Sequence, residues 1–514
     1  MPRYLTPGVY IEEAGRGPKP IDGVPTGTAA IVGETERGSL KPTLVTSFAE
    51  YRRNFGQVFG NDKYTPYAVN GFFENGGKRL FVCRVVRQAA VKASAAFGAF
   101  NVEAIGPGTW GNRLFARIEP SKTTRPTFGG TGVEPVGFRL LLAYYRSPPA
   151  QDPLEWFNDS TKPPKPTYSE IFEDLVLDEA SPDHYEKRLK DASSLAMLVP
   201  SDTAPGTQPS YGYHALENGS DGPGPPDATD YGGEQGARRR QVQGLAALRL
   251  DPCREVSLVY APGVSFDIAK SVVAHCAQLT FRFAVVDCEK TVEVSHFDPR
   301  SAISDTGYAA LYYPWVWISE PQSGGRRLVP PGGHVLGIYA RTDSERGVFK
   351  APANEVARGV LGLQVDTDDA AQHLLNQKGI NTIRQLPDRG IRVWGARTLS
   401  SDDLWKYVSV RRFIIFLEHS IYEGTQWVVF EPNDDQLWTR VTDAIRLFLR
   451  SQWRLGALMG RTDQEAFFVR CDRTTMTQDD ILNGRLICEI GVALVRPAEF
   501  VVFRIFQNTA QARL

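Results

Sequence analysis

EVSLVYAPGVSFDIAKSVVAHCAQLTFRFAVVDC, residues 255–288, is the stretch on which the fold turns. EVSLVYAPG is a β-prone run closed by a Pro-Gly turn, FDIAKSVVAHCAQL carries its apolar residues at helical spacing, and FRFAVVDC is β-prone again. Strands alternating with a helix of this length predict a parallel or mixed sheet with helices packed on it. ALYYPWVWI (310–318) adds another strand, and VPPGGHVLGIYARTDSERG (329–347) reads as a helix started by proline.

The same alternation runs toward the N-terminus. TGTAAIVGETERG (26–38) reads as a buried strand ending in a turn, and SFAEYRRNFG (47–56) as a short helix behind a Ser cap. YAVNGFFENGGKRLFVCRVV (67–86) reads as a helix, an Asn-Gly-Gly stop and a strand carrying Leu80, Val82 and Val85. GFRLLLAYY (137–145) suits a strand, and SPDHYEKRLKDASSLAMLV (181–199) a helix running into a strand. Residues 200–236 are crowded with Gly, Pro, Asp and Ser and have no apolar period, which predicts an exposed, mobile insertion. Arg238, Arg239 and Arg240 follow it and are read as solvated charges rather than a phosphate site.

Toward the C-terminus, Leu437, Val441, Ile445, Phe448 and Trp453 recur at helical spacing behind Asp434 and Asp435, predicting a long amphipathic helix. The tail holds two β-prone runs, 486–495 and 500–506, separated by Arg496-Pro497. The N-terminus has a strand-like run too, Val9-Tyr10-Ile11, followed by the leash GRGPKP (15–20), which continues neither a helix nor a central strand. It lacks the pattern of a secretory signal, so it is read as a working arm.

At 514 residues with 42% hydrophobic residues, the chain has material for about three domains. Lys+Arg 58 against Asp+Glu 59 gives a formal charge of -1, which excludes a global basic field for nucleic acid. No run approaches the roughly 18 apolar residues of a membrane span, so a soluble protein without membrane insertion is expected. Cys83, Cys253, Cys276, Cys288, Cys471 and Cys488 are irregularly spaced and read as free thiols of a protein made in the cytoplasm.

Catalytic patterns fail on context. GPGTWG (106–111) matches a dinucleotide fingerprint by letters, but NRLFARIEP continues as a strand where a helix is required. ENGGKR (74–79) is a helix stop, not a phosphate loop. Residues 263–267 lack the second glycine of a nucleophile elbow. His275, Cys276, Cys288 and His296 are read as buried thiols and ordinary histidines, because adjacent His-Cys side chains diverge and no CxxC accompanies them. The pairs Asp368-Asp369 and Asp402-Asp403 are read as solvated or capping carboxylates. No catalytic residue, metal site or cofactor is expected.

Several long stretches together resemble the contractile tail sheath proteins of phages and phage-tail-like contractile injection systems. They are YLTPGVYIEE, GPKPIDGVPTGTAAIVG, FFENGGKRLFVCRV, PGTWGNRL, YAPG, VPPGGHVLGIYARTDSERGVFKAPANE, LNQKGINTIRQLPDRGIRVWGARTL, VSVRRFIIFLEHSIYEGTQWVVFEPN and ILNGRLICEIGVALVRPAEFVVFRI, in this order over nearly the whole chain. Residues 200–236 show no family pattern. The resemblance implies a structural, non-enzymatic subunit that polymerises as stacked helical rings around an inner tube and contracts to drive the tube through a target envelope.

The expected fold class is α/β and α+β multidomain, with a core domain formed from the N- and C-terminal parts, an inserted outward α/β domain of subtilisin-like fold, and strand-forming terminal arms. The expected boundaries are 1–24 for the N-terminal arm and linker, 25–95 and 346–488 for the core, 96–345 for the outward domain with a flexible loop at 200–237, and 489–514 for the C-terminal arm. Inter-subunit strand contacts are expected at Val9, Tyr10, Ile11, Phe500, Val502 and Phe503, with Gly15, Gly17, Pro18 and Pro20 as linker. The implied partners are further copies in hexameric rings, the inner tube protein, and baseplate and terminator or cap proteins, with no direct nucleic-acid contact. Assembly is expected in the bacterial cytoplasm, and the destination is a phage tail or phage-tail-like particle. The rival readings are a non-contractile surface or binding module and a cryptic hydrolase on the middle α/β domain.

Overall fold

Residues 255–288 fold as a strand, a helix and a parallel strand: Leu258–Tyr260 and Phe283–Asp287 pair in parallel, joined through helix Phe266–Leu279. The computed structural model describes residues 20–127, 132–201, 208–233, 242–291, 297–320, 324–500 and 502. They fall into two compact units, Pro25–Arg411 and the two chain ends, Met1–Val24 with Arg412–Leu514.

The larger unit is organised by a nine-stranded sheet. Across it the order is Glu355–Val356, Gly390–Val393, Ile380–Leu386, Ala309–Tyr313, Phe283–Asp287, Leu258–Tyr260, Ala29–Gly33, Leu80–Arg84 and Thr43–Val45. The run from Ile380–Leu386 to Leu80–Arg84 is parallel, and the antiparallel strands close both edges. A parallel sheet covered on both faces calls for continuous apolar strands. AAIVG, LFVCR and FAVVD accordingly bury every residue.

Helix Phe266–Leu279 covers one face, setting Ile268, Val272 and Cys276 into the cluster with Val32, Val259 and Val286. The other face carries helices Thr65–Glu74 and Gly332–Arg346. These two helices touch backbone to backbone, since a Cβ on Gly333 would stand 2.4 Å from the Ala68 Cα. The expected caps form: Ser47 accepts from the Glu50 amide ahead of helix Phe48–Phe55, and Asn75 ends helix Thr65–Glu74.

Between Leu80–Arg84 and Leu258–Tyr260 the chain builds an antiparallel lobe. One of its sheets orders Tyr168–Leu175, Phe138–Tyr144, Leu114–Pro120 and Gly212–Ala215; another orders Ala196–Pro200, Phe100–Ala104 and Ser94–Phe97. They enclose a separate core including Phe97, Val102, Trp110, Leu140 and Leu198. The stretch 96–345 thus supplies both most of this lobe and three parallel strands of the large sheet.

Three local expectations are corrected. Residues 200–236 read as a mobile insertion, yet the described part, 208–233, is built into the lobe. Gly212–Ala215 pairs with Leu114–Pro120, Leu216 is fully buried, and helix Ala228–Gly232 starts from a capping box of Asp227 and Asp230, both paired with Arg87. Pairing with distant strands and side-chain bonds such as Asp221 to Thr109 order this polar chain, and composition reports neither. ALYYPWVWI is not one strand: it breaks at Pro314 into Ala309–Tyr313 and Val316–Ser319, which join different sheets. The helix expected from residue 181 shrinks to Tyr185–Leu189.

Candidate assembly interface

The smaller unit gathers both chain ends. Residues 21–24 lie along helix Val408–Gly424: Ile21 is buried, and the Val24 amide donates to Ser420 Oγ at 3.1 Å. A Cβ on Gly424 would stand 2.7 Å from both Ile21 γ-carbons, so glycine is what admits this close contact. The chain at Ile21–Val24 is therefore held on a helix nearly 400 residues further along, which no local pattern could reveal.

Helix Asp435–Arg454 forms the unit's core. Asp434 caps it by accepting from the Leu437 amide at 2.8 Å, and Leu437, Val441, Ile445 and Phe448 form the expected buried stripe, whereas Trp453, expected in the same stripe, is only half-buried and donates through Nε1 to the Gly460 carbonyl. Against it lies a two-stranded antiparallel sheet, Phe467–Arg470 with Glu489–Val492. The alternation FFVR, with Phe467 and Val469 buried and Phe468 and Arg470 exposed, is a period-two signal that the sequence reading passed over. In a two-stranded sheet each strand keeps one edge unpaired among the described residues, and such edges are templates for further strands. A groove of about 430 Å³ runs between the helix and Phe467–Arg470, lined by Thr439, Asp443, Arg446 and Phe468.

Of the expected contact residues, Phe500 is 74% and Val502 78% exposed, and neither lies in a strand. Pro20 is exposed. Val9, Tyr10, Ile11, Gly15, Gly17, Pro18 and Phe503 lie outside the described residues. What the structure brings together is residues 21–24 and strand Glu489–Val492, which belong to the same unit.

The titratable groups of the larger unit serve packing. His275 Nε2 meets Arg282 Nη1 at 2.8 Å, and burial drives its pKa down to about 3. Arg282 also donates to the Leu248 and Cys253 carbonyls. Asp287, which sequence reasoning did not single out, ends a central strand and accepts from Tyr260 Oη at 2.5 Å and from the amides of Gly332 at 2.9 Å and Gly263 at 3.2 Å. Burial pushes its carboxyl up to about 7. It ties the tip of the sheet to the start of helix Gly332–Arg346. Asp368 caps a helix and Asp402 a turn, as read. His296 lies outside the described residues, and among those described no group of three His, Cys, Asp or Glu side chains is arranged to hold a metal.

Comparison with known proteins bears on this geometry. The model of the phage tail sheath protein central domain matches residues 226–399, and that of the phage tail sheath C-terminal domain matches residues 400–508, together more than half of the chain. A putative prophage major tail sheath protein of Pseudomonas aeruginosa is 29% identical over 198 residues, 37% of this chain. The match spans about half of that relative, 49% of its length. Among solved structures, the contracted helical sheath of the anti-feeding prophage superposes with a TM-score of 0.59 at 24% identity, covering 98% of this chain and 100% of that one. The contracted sheath of the extracellular contractile injection system PVC gives 0.58 at 23% identity, covering 99% and 100%. These likenesses establish a shared mixed α/β fold with several sheets.

Proposed function

The chain belongs to the phage tail sheath family, and from that premise we propose that it is the structural subunit of a contractile sheath. It polymerises as stacked helical rings around an inner tube and contracts to drive the tube through a target envelope. Its partners are further copies of itself, the inner tube protein, and baseplate and terminator proteins. It assembles in the bacterial cytoplasm and ends in a phage tail or phage-tail-like particle. The middle region is a subtilisin-like α/β fold without a protease role, and the lobe faces outward.

The observation that carries this reading is that residues 21–24 and 412–500 belong to one unit whose small sheet has open edges among the described residues. The expected arms, 1–24 and 489–514, are then rooted in their own unit at residues 21–24 and 489–492, and the segments beyond those roots carry the strands, at Val9, Tyr10, Ile11, Phe500, Val502 and Phe503, that complete the sheets of neighbouring copies. A strand forming about six inter-strand hydrogen bonds gains about 3–9 kcal/mol, at roughly 0.5–1.5 each. Ordering the backbone costs about 1–2 kcal/mol per residue, so these terms nearly cancel. One arm alone does not drive assembly. Burial of the aromatic side chains and simultaneous engagement of two arms decide it, through effective concentration. Contacts related by a rotation that does not close on itself give a helical polymer.

Electron microscopy of the concentrated protein tests the proposal. Long striated tubes are the expected result, and discrete monomers under every condition would overturn it.

A further inference from the structure

The ladder between Phe467–Arg470 and Glu489–Val492 ends on the pair Arg470 and Glu489. One step further, its register sets Cys471 opposite Cys488. Directly opposed residues of antiparallel strands have Cα atoms about 4.5–5.5 Å apart. That lies inside the span of about 4.4–6.8 Å that a disulfide bridges. Thr475 holds the two sides together just past the ladder, donating through Oγ1 to the Ile487 carbonyl at 2.8 Å. Each thiol is the main electrostatic influence on the other, Cys488 pulling the Cys471 thiol below its ordinary value and Cys471 pushing that of Cys488 up. Cys471 is buried and Cys488 half-buried, so the pair is open to a small reagent from one side.

We propose that Cys471 and Cys488 are a modification site that closes to an intramolecular disulfide on meeting a small-molecule disulfide such as oxidised glutathione. A thiolate of the pair attacks the external S–S bond, forming a mixed disulfide and expelling one glutathione thiolate. The second thiol gives its proton to solvent and attacks the mixed disulfide, forming the Cys471–Cys488 bond and expelling the second glutathione. Two electrons pass from the pair to the external disulfide. The other cysteines do not compete. Cys83, Cys253, Cys276 and Cys288 are all buried in the larger unit, and burial holds their thiols protonated, with that of Cys276 pushed up to about 12. Closure staples strand Glu489–Val492 to its partner. Resting on the function proposed above, the C-terminal arm would then pull on a covalently closed base.

The full-length, unpolymerised chain, fully reduced and then equilibrated with oxidised glutathione, is denatured, alkylated and mapped by mass spectrometry. The expected result is a fall from six alkylatable thiols to four, with one cross-linked peptide pair containing Cys471 and Cys488, reversed by dithiothreitol. Cys488→Ser should give no cross-link and at most a glutathione adduct on Cys471. Wild-type protein that keeps both residues alkylatable, or that joins either to another cysteine or another chain, overturns the proposal. The measurement needs no tubes, so a failure of the sheath reading would leave its outcome readable.

Discussion

The Arg37 guanidinium lies 5.1 Å from the centre of the Tyr168 ring, so a residue just beyond the first central strand is seated against a strand of the lobe. Tyr144 flanks it at 5.4 Å. Its nitrogens donate to the carbonyls of Arg53, Arg52, Asn54 and Ser194 at 2.5, 3.3, 3.4 and 3.5 Å. Next to it, the Glu36 carboxylate accepts from Tyr144 Oη and from the Gln57 amide. The lobe is thus bolted to the large sheet by one buried cation and one buried carboxylate.

Replacing Arg37 by Met keeps bulk but leaves those carbonyls without their donor. A loss of about 2–4 kcal/mol is expected from denaturant unfolding of the unpolymerised chain. A loss below about 1 kcal/mol would show that the clamp is dispensable.

Asp287 makes stability depend on pH in a defined sense. Its carboxyl is raised from 3.8 to about 7 on folding, so the folded chain holds this proton more tightly than the unfolded one. The associated stabilisation is complete below about pH 4 and is lost as pH rises through about 7. Between pH 5 and pH 8 the wild type should therefore lose more thermal stability than Asp287→Asn, measured side by side. Parallel curves would contradict this.

Gly424→Ala forces Ile21 off its helix. Overpacking of this kind costs about 1–3 kcal/mol. Hydrogen exchange at the Val24 amide should accelerate by about tenfold or more, while the amides of Leu258–Tyr260 keep their protection. Unchanged exchange at Val24 would mean that the root of the N-terminal segment is held elsewhere.

Deletion of 208–233 should expose the lobe core to limited proteolysis, because it removes the strand Gly212–Ala215 together with buried Leu216. A protease pattern like that of the wild type would restore the reading of this segment as dispensable.

Deletion of 500–514 should leave a cooperatively folded chain that no longer forms tubes, since Phe500 contributes little to its own unit. Tubes of normal length from the deletion reject the assigned role of this arm.

The parallel heart of the fold was legible because fully buried strands announce themselves: AAIVG, LFVCR and FAVVD could hardly sit anywhere else. The long helix behind Asp434 was legible for the same reason, through its period and its cap. Segment 208–233 was not, because its order comes from partners about a hundred residues away, such as Asn112 for Gly219. Strand Phe467–Arg470 escaped because four residues carry too short a period to stand out beside a 20-residue helix. The rooting of Ile21 on Gly424 depends on a missing side chain, and a glycine near a helix end reads simply as a stop.

The chain leaves the large sheet through Leu80–Arg84 and re-enters it through Leu258–Tyr260, and these strands flank Ala29–Gly33 on either side. All three run parallel, so the chain departs at Arg84, level with Gly33, and returns at Leu258, level with Ala29, about 16 Å away: two strand spacings across and four residues along. Whatever is spliced between them must carry the chain from one end of the strands back to the other. The lobe is thus an insert in the connectivity of the sheet, entered and left through the two neighbours of one strand. Any replacement must still present an aromatic wall to Arg37, a hydroxyl to Glu36 and a carbonyl to Arg84, which donates to Pro107 at 2.8 Å.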